Sequence, residues 1–336
     1  MALTKTTSLS YASSAITVSR NLGTSSFVLG STTRIKLDPI GLVTNLLLEV
    51  VAEINISVTA TTASPMAPYN LLTGVRLTDA NGKDRINCPG QLLWAINCLR
   101  KRTLEYRDAG VMFSTPSIPT AIGNGIIRFY IDVPVAYGPS DLRGALRADV
   151  SGDIYLNLDW DNVLLDNGNA DRVYNGQSTS VVTLTSGRVT VWQEYLYSSM
   201  QLPDDVNTIH YIEGGLRITD GLMTGSERLI NYTINRATTG VAFIFVNNGV
   251  MSEADVGQVR LISGPSEIWR YNIDTMYAKQ RDLLRGASLP PNFFLIYHSL
   301  PLQTMMARQN QIGFTPLNVS GAGNTYLGFA FESFGN

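Results

Sequence analysis

Two histidines and two cysteines in 336 residues leave this chain short of what most metal sites and nucleophilic relays are built from. A zinc site needs several His or Cys ligands at set spacings, and a Ser-His-Asp relay needs an imidazole beside an acid and a nucleophile. Cys88 and Cys98 match no zinc spacing and are too few for a disulfide framework, so they are expected to be reduced and buried. Charge is scarce as well. Asp, Glu, Lys and Arg make up 15% of the chain, and the net charge is −2. The basic footprint of a nucleic-acid coat is therefore missing, and direct genome binding is not expected. Long apolar runs are also lacking: Leu46-Leu47-Leu48 is cut by Glu49 and Glu53, well short of membrane thickness. The reduced cysteines point to an intracellular origin, and the Ser/Thr-rich N-terminus lacks the continuous apolar core of a secretory signal. The Asn-x-Ser/Thr triplets at Asn55, Asn231 and Asn318 then read as chance matches to the glycosylation pattern.

What is present points to sheets and turns. Apolar residues make up 44%, with 29 glycines and many Ser, Thr and Asn. Residues 1–33 hold fifteen Ser or Thr and little apolar periodicity, so they read as an arm ordered by packing against something else. Strand patterns follow at 34–38, 43–58 and Val75-Arg76-Leu77-Thr78, the last ending in the turn Asp79-Ala80-Asn81-Gly82. A helix is expected from Pro89, with Leu92, Ile96 and Leu99 as its stripe and Arg100-Lys101-Arg102 at its cation-favouring end. After a Pro/Gly-rich loop at 107–125, Ile127, Phe129, Ile131 and Val133 alternate with polar neighbours, as do Ile154, Leu156, Leu158 and Trp160. The Asp/Asn/Gly-rich stretch 161–180 reads as a linker or long surface loop at a boundary.

The second half uses the same parts in the same order. Val259-Arg260-Leu261 repeats Val75-Arg76-Leu77 at an offset of 184. A second helix is expected from the N-cap Asn272 to Arg285, stopped by Gly286, with Ile273, Met276, Tyr277 and Leu284 as its stripe. Phe294, Ile296, His298 and Leu300 repeat Ile127, Phe129, Ile131 and Val133 at offset 167, each set followed by proline (Pro301, Pro134). Leu327, Phe329 and Phe331 echo Leu156, Leu158 and Trp160 at offset 171. A drifting offset is what an old duplication with unequal loops produces. Each half offers about eight strands with one helix inserted, and the simplest architecture is a two-sheet jelly roll, repeated.

Nothing catalytic emerges from the remaining residues. His298 falls in the slot of Ile131 on a core-facing position, and both it and His210 read as hydrogen-bonded core or interface histidines. Asp153, Asp159, Asp161, Asp166 and Asp171 fail the EF-hand spacing, so no metal is expected. Gly123-Asn124-Gly125 and Gly321-Ala322-Gly323 lack the context of a phosphate loop and read as hairpin turns. Arg100-Lys101-Arg102 reads as a solvated helix end. Paired carboxylates for glycoside chemistry are a three-dimensional property that sequence leaves open.

Asn70-Leu71-Leu72-Thr73-Gly74-Val75-Arg76-Leu77-Thr78-Asp79 running into Asp84-Arg85-Ile86-Asn87 resembles the early strand and turn of tectivirus major capsid proteins. Gln311-Ile312-Gly313-Phe314-Thr315-Pro316-Leu317-Asn318-Val319 and the aromatic final strand are similar to the same family's C-terminus. The resemblance implies a double jelly roll of the adenovirus hexon lineage, forming homotrimeric pseudo-hexagonal capsomers. These tile an icosahedral shell around an internal membrane enclosing double-stranded DNA. It also implies that the N-terminal region lies on the inner, membrane side. Residues 1–37 carry Lys5, Arg20, Arg34 and Lys36 with no acid before Asp38, which suits an anionic lipid surface. The many β-branched and Ser residues there favour an extended arm over the family's amphipathic helix.

The expectation is thus an all-β chain of two tandem eight-stranded jelly rolls with one short helix in each. Its divisions are an N-terminal arm (1–30), a first jelly roll (31–165), a linker and start of the second unit (166–200) and a second jelly roll (201–336). The expected function is that of a virion shell protein of an icosahedral bacteriophage with no catalytic, metal or cofactor site. Its expected partners are further copies of itself, minor capsid or vertex proteins, and an internal membrane through residues 1–37, without direct nucleic acid contact. The alternatives are a double jelly-roll glycan hydrolase of the peptide-N-glycosidase type, and a phage spike or receptor-binding protein holding sugars on aromatics such as Trp192 or Trp269.

Overall fold

The computed structural model describes residues 8–103, 117–138, 141–148, 152–165, 172–175, 179–198, 201–218, 222–231, 237–283, 293–297, 310–320 and 325–335. Sixteen principal strands lie among them. The first eight are β1 (Ile16–Ser26), β2 (Thr32–Lys36), β3 (Leu42–Ser57), β4 (Leu72–Thr78), β5 (Asp84–Cys88), β6 (Gly123–Pro134), β7 (Tyr155–Trp160) and β8 (Val181–Tyr197). The second eight are β9 (Ile209–Ile218), β10 (Arg228–Asn231), β11 (Ala237–Val246), β12 (Val256–Ser263), β13 (Ser266–Asn272), β14 (Phe293–Tyr297), β15 (Asn310–Pro316) and β16 (Tyr326–Gly335). Helices are α1 (Ser8–Ser14), α2 (Gly90–Thr103) and α3 (Ile273–Leu283).

The strands pair as β1-β8-β3-β6 and β2-β7-β4-β5 in the first half, and as β9-β16-β11-β14 and β10-β15-β12-β13 in the second. Adding eight to each label of the first half gives the second. Two eight-stranded jelly rolls with the same strand order therefore follow one another, each with a helix after its fifth strand. A short parallel pairing, Ile86↔Ile212 and Asn87↔Glu213, joins β5 to β9 and fuses one sheet of each half into a single eight-stranded sheet.

Alternation explains the first unit's core. Val50, Ala52 and Ile54 on β3 and Ile127, Phe129 and Ile131 on β6 point inward, and their neighbours Glu53, Arg128 and Tyr130 point out. The second unit departs from this. Along Val241-Ala242-Phe243-Ile244-Phe245-Val246 every side chain is buried. Val241, Phe243 and Phe245 fill the second unit's own core, whereas Ala242, Ile244 and Val246 belong to the larger core centred on the first unit. A strand covered on both faces reads as a continuous apolar run. The second helix forms as its cap dictates, with the Thr275 backbone N–H donating to Asn272 Oδ1 at 2.9 Å and Met276 buried beneath it. Leu284, Arg285, Gly286 and His298 lie outside the described residues.

Four readings of the sequence are corrected. The echo of Leu156, Leu158 and Trp160 in Leu327, Phe329 and Phe331 is not a structural match: β7 lies between β2 and β4, and its counterpart by pairing is β15, while β16 matches β8. Period-two alternation is shared by neighbouring strands and cannot tell them apart. The stretch 161–180 is not simply a surface loop, because Leu164, Val173 and Tyr174 are fully buried in the main core and the Tyr174 hydroxyl donates to Pro119 O at 2.8 Å. The expected arm is folded from Ser8 onward: α1 places Tyr11 in a small core with Leu42, Leu142 and Leu196, and β1 pairs along β8 from Ile16↔Tyr197 to Ser26↔Arg188. Likewise β8 falls in the stretch expected as linker, yet it pairs with β3 from Val181↔Ser57 to Leu196↔Leu42.

Phe27, directly after β1, stacks on Trp160 with ring centroids 3.7 Å apart and is buried. Replacing it by alanine is expected to destabilise the fold by about 3–5 kcal/mol, the usual range for a buried aromatic. Denaturant unfolding measures this, and an unchanged midpoint would show that the segment is a dispensable arm after all.

Candidate functional site: the junction of the two units

Helix α2 is buried almost all round: Leu92, Leu93, Trp94, Ala95, Ile96, Asn97 and Cys98 are all buried. A surface helix shows one apolar stripe, and a helix apolar on every side must be covered on every side. On the first unit, Trp94 stacks on Tyr69 at 5.1 Å and Asn97 Nδ2 donates to Asp132 O at 2.8 Å. On the second, Trp94 meets Phe293 edge-on at 5.3 Å, and the Tyr326 hydroxyl donates to Gln91 Oε1 at 3.3 Å. Glycines let the backbones approach closely. A Cβ on Gly214 would stand 2.7 Å from Cys88 Sγ and 2.8 Å from Ala330 Cβ, and one on Gly328 would stand 2.9 Å from Ile244. Burial pushes the Cys88 thiol far above its usual range, which makes it inert.

A buried polar clasp lies at another place along the same seam. His210 Nδ1 lies 3.0 Å from Val135 O, and because a carbonyl can only accept, this nitrogen carries a proton. Nε2 lies 2.7 Å from Glu332 Oε1, and Thr239 Oγ1 donates to Glu332 Oε2 at 3.2 Å. Both ionisable side chains are about 1% exposed. One further proton is shared between imidazole and carboxyl, whichever holds it. Tyr137 and Phe334 close the clasp edge-to-face at 5.0 Å, with Arg143 4.5 Å above the Phe334 ring. The sequence reading of His210 as a hydrogen-bonded core histidine describes this geometry. The glutamate partner, 122 residues away, left no sequence signal.

The remaining candidate residues stay apart. Trp192 and Trp269 are half-buried, and Trp269 stacks on Tyr271 at 4.7 Å. Three of the five aspartates engage in ion pairs, Asp153 with Lys36 at 2.6 Å, Asp159 with Arg76 at 3.2 Å, and Asp161 with Arg172, while Asp166 and Asp171 lie outside the described residues. Lys36 and Tyr155 hold the Asp153 carboxyl below its usual range. No group of three or more His, Cys, Asp or Glu among the described residues is placed to hold a metal ion. Of the N-terminal cations, Arg20 pairs with Asp38 at 2.6 Å and Arg34 lies 3.6 Å over the Tyr155 ring. An open groove of about 450 Å³ lined by Val28, Leu29, Val163, Leu165, Val181 and Leu184 has aliphatic walls rather than the aromatic platforms a sugar would need. No helix of the described residues is long and apolar enough to cross a membrane.

The model of the P3 major capsid protein N-terminal family matches residues 21–198. No curated protein sequence matches the chain. Solved structures share the fold along nearly the whole length. The major capsid protein of Sulfolobus turreted icosahedral virus is 12% identical with a TM-score of 0.69, covering 95% of this chain and 96% of that one. The PBCV-1 virus capsid is 13% identical with a TM-score of 0.64, covering 95% and 93%. The major capsid protein P2 of bacteriophage PM2 is 12% identical with a TM-score of 0.51, covering 95% and 97%. The chain belongs to the P3 major capsid protein family: it is a structural protein of the virion shell and not an enzyme.

Removing one member of a buried ion pair strands the other, at about 3–5 kcal/mol. His210→Ala and Glu332→Ala are each expected to lower stability by that amount. The double replacement by apolar residues is expected to recover part of it. Additive single effects in a double-mutant cycle would show that the two side chains do not act as a pair.

Proposed function

We propose that three copies of this major capsid protein form a pseudo-hexagonal capsomer, and that capsomers tile the icosahedral shell of a double-stranded DNA bacteriophage around an internal membrane. The observation that carries the reading is the identical strand order of the two units, since only equivalent units can occupy six similar places around a ring. The units of this reading run over 16–197 and 209–335, with α1 as the inner extension.

Orientation follows from chain direction. Strand β1 begins at the end of the first unit where Ile16 pairs with Tyr197, and both side chains are more than half exposed, as is Leu9. Strand β2 ends on that side too, which brings Lys36 there, with Arg34 and Arg20 within four residues of it or of Ile16. Exposed apolar side chains beside cations support contact with an anionic lipid surface at this end. The chain's net charge of −2 supports a lipid layer, not this protein, as the genome's nearest neighbour. The opposite ends carry the loops that would face outward, and minor capsid or vertex proteins would meet the capsomers at their flanks.

Light scattering on the purified chain is expected to give about three times the 36.7 kDa chain mass. Electron microscopy of source material should show icosahedral shells around a vesicle. A monomer at assembly concentrations, or shells without lipid, would remove the corresponding part of the reading.

A further inference from the structure

Equivalent sheets in the two units differ in one respect. The outer face of β9-β16-β11-β14 is covered by α2, while among the described residues no helix is laid across the outer face of β1-β8-β3-β6. The registers align them row by row, starting from the repeat that matches Ile127 with Phe294. The inward row Ile127–Ala52–Gly187 corresponds to Phe294–Phe243–Phe329. The next outward row, Ile126–Glu53–Ser186, then corresponds to Phe293–Ile244–Gly328, and Val51–Arg188 corresponds to Ala242–Ala330. Phe293 is fully buried beneath Trp94 of α2, whereas its counterpart Ile126 is 54% exposed.

The helices differ in the matching way. Setting the caps Pro89 and Asn272 together aligns the buried Leu93 with the buried Met276, and the buried amide Asn97 with the buried amide Gln280. The same alignment sets Leu92, Ala95 and Ile96 of α2, all buried, against Thr275, Ala278 and Lys279 of α3, all exposed. The strand edges follow suit. In-chain, β5 pairs with β9; their counterparts β13 and β1 are both sheet edges, and both are mostly exposed.

Resting on the trimer reading above, we propose that α3 and the β13 edge of one copy dock on the β1 edge and the outer β3–β6–β8 face of a second copy, repeating between chains the junction that α2 and β5 make within one. A head-to-tail contact of this kind closes into a ring when the rotation fits, and three chains alternating the two junctions give six units. The chemistry suits a second copy of this chain. Lys279 and Arg281 on α3 complement Glu49 and Glu53 on β3, while Asp274 and Asp282 complement Arg128 and Arg188. The in-chain junction is the more apolar of the two: Leu92, Ile96, Ile244 and Ala330 there stand where the proposed one has Thr275, Lys279, Glu53 and Arg188. That covariation is expected where one junction never sees water and the other must stay soluble until the partner arrives.

Two substitutions test this by light scattering across a dilution series: Thr275→Arg with Ala278→Arg on α3, and Ile126→Arg on β6. Leu229→Arg on β10, at the far edge of the second unit, is the control. Both test sites are exposed, so near-ultraviolet circular dichroism of each variant should match the parent. The α3 and β6 variants are expected to dissociate to single chains, with the midpoint of dissociation raised at least about a hundredfold, the range for an unpaired charge placed at an interface. The control should remain a trimer. Variants that stay trimeric beside a trimeric parent, or a control that alone dissociates, would overturn this interface while leaving the trimer intact. A parent chain that is itself monomeric would remove the trimer reading and this interface with it.

Discussion

A sheet apolar on both faces cannot stand at a surface, and β9-β16-β11-β14 is such a sheet. One face is covered by the second unit's own partner sheet, and the other has α2 laid across it. Each fully buried Phe, Ile or Val contributes roughly 1.5–3 kcal/mol. With Ala242, Ile244, Val246, Phe293 and Ala330 all in the shared core, the second unit depends on the first for a large part of its stability. The two jelly rolls are therefore one cooperative body, not two domains on a tether. The short β5–β9 pairing fixes the angle at which they meet, and the His210–Glu332 clasp, itself within the second unit, reaches the first through the His210 Nδ1–Val135 O hydrogen bond, which a shift of one unit against the other would break.

Much of this was legible in the sequence. Alternation located β6 and β7, the caps located both helices, and the repeated Val-Arg-Leu and Phe/Ile patterns revealed the duplication. The stripe read on α2, Leu92 and Ile96, was correct in kind but too narrow, because a single stripe is what a helix with one neighbour needs and α2 has two. The continuous run Val241–Val246 already contained that information, since a strand buried on both faces loses its alternation.

The misreadings have physical causes. The segment from Ile16 to Ser26 looks like an arm because an edge strand with both faces largely exposed needs few apolar residues; backbone pairing to β8 orders it instead. Residues 161–180 look like a linker because Asp, Asn and Gly dominate the composition, yet three scattered side chains, Leu164, Val173 and Tyr174, fix the segment to the core. Counterpart strands were confused where the same two-residue period recurs in succession. Glu332, next to Phe331 in an aromatic strand, gave no hint that it faces an imidazole from the opposite end of the same unit.

Duplication followed by divergence accounts for how equal folds came to have unequal surfaces. Once two units share one chain, the contact between them no longer has to form from solution, and selection for solubility on those faces is lifted; Ile244, Ala330 and Leu92 are what such faces become. The same positions on the other unit, Glu53, Arg188 and Thr275, remain under that selection because a free chain must carry them through water. The Glu53–Arg188 pair at 3.5 Å keeps that outer face soluble while leaving both charges exposed enough to exchange partners. Surface ion pairs of this kind contribute little to the isolated chain, so little is lost when they are re-paired across an interface. The polarity of that face is thus not evidence against its burial in an assembly; beside an apolar twin it fits a contact that has to form from solution.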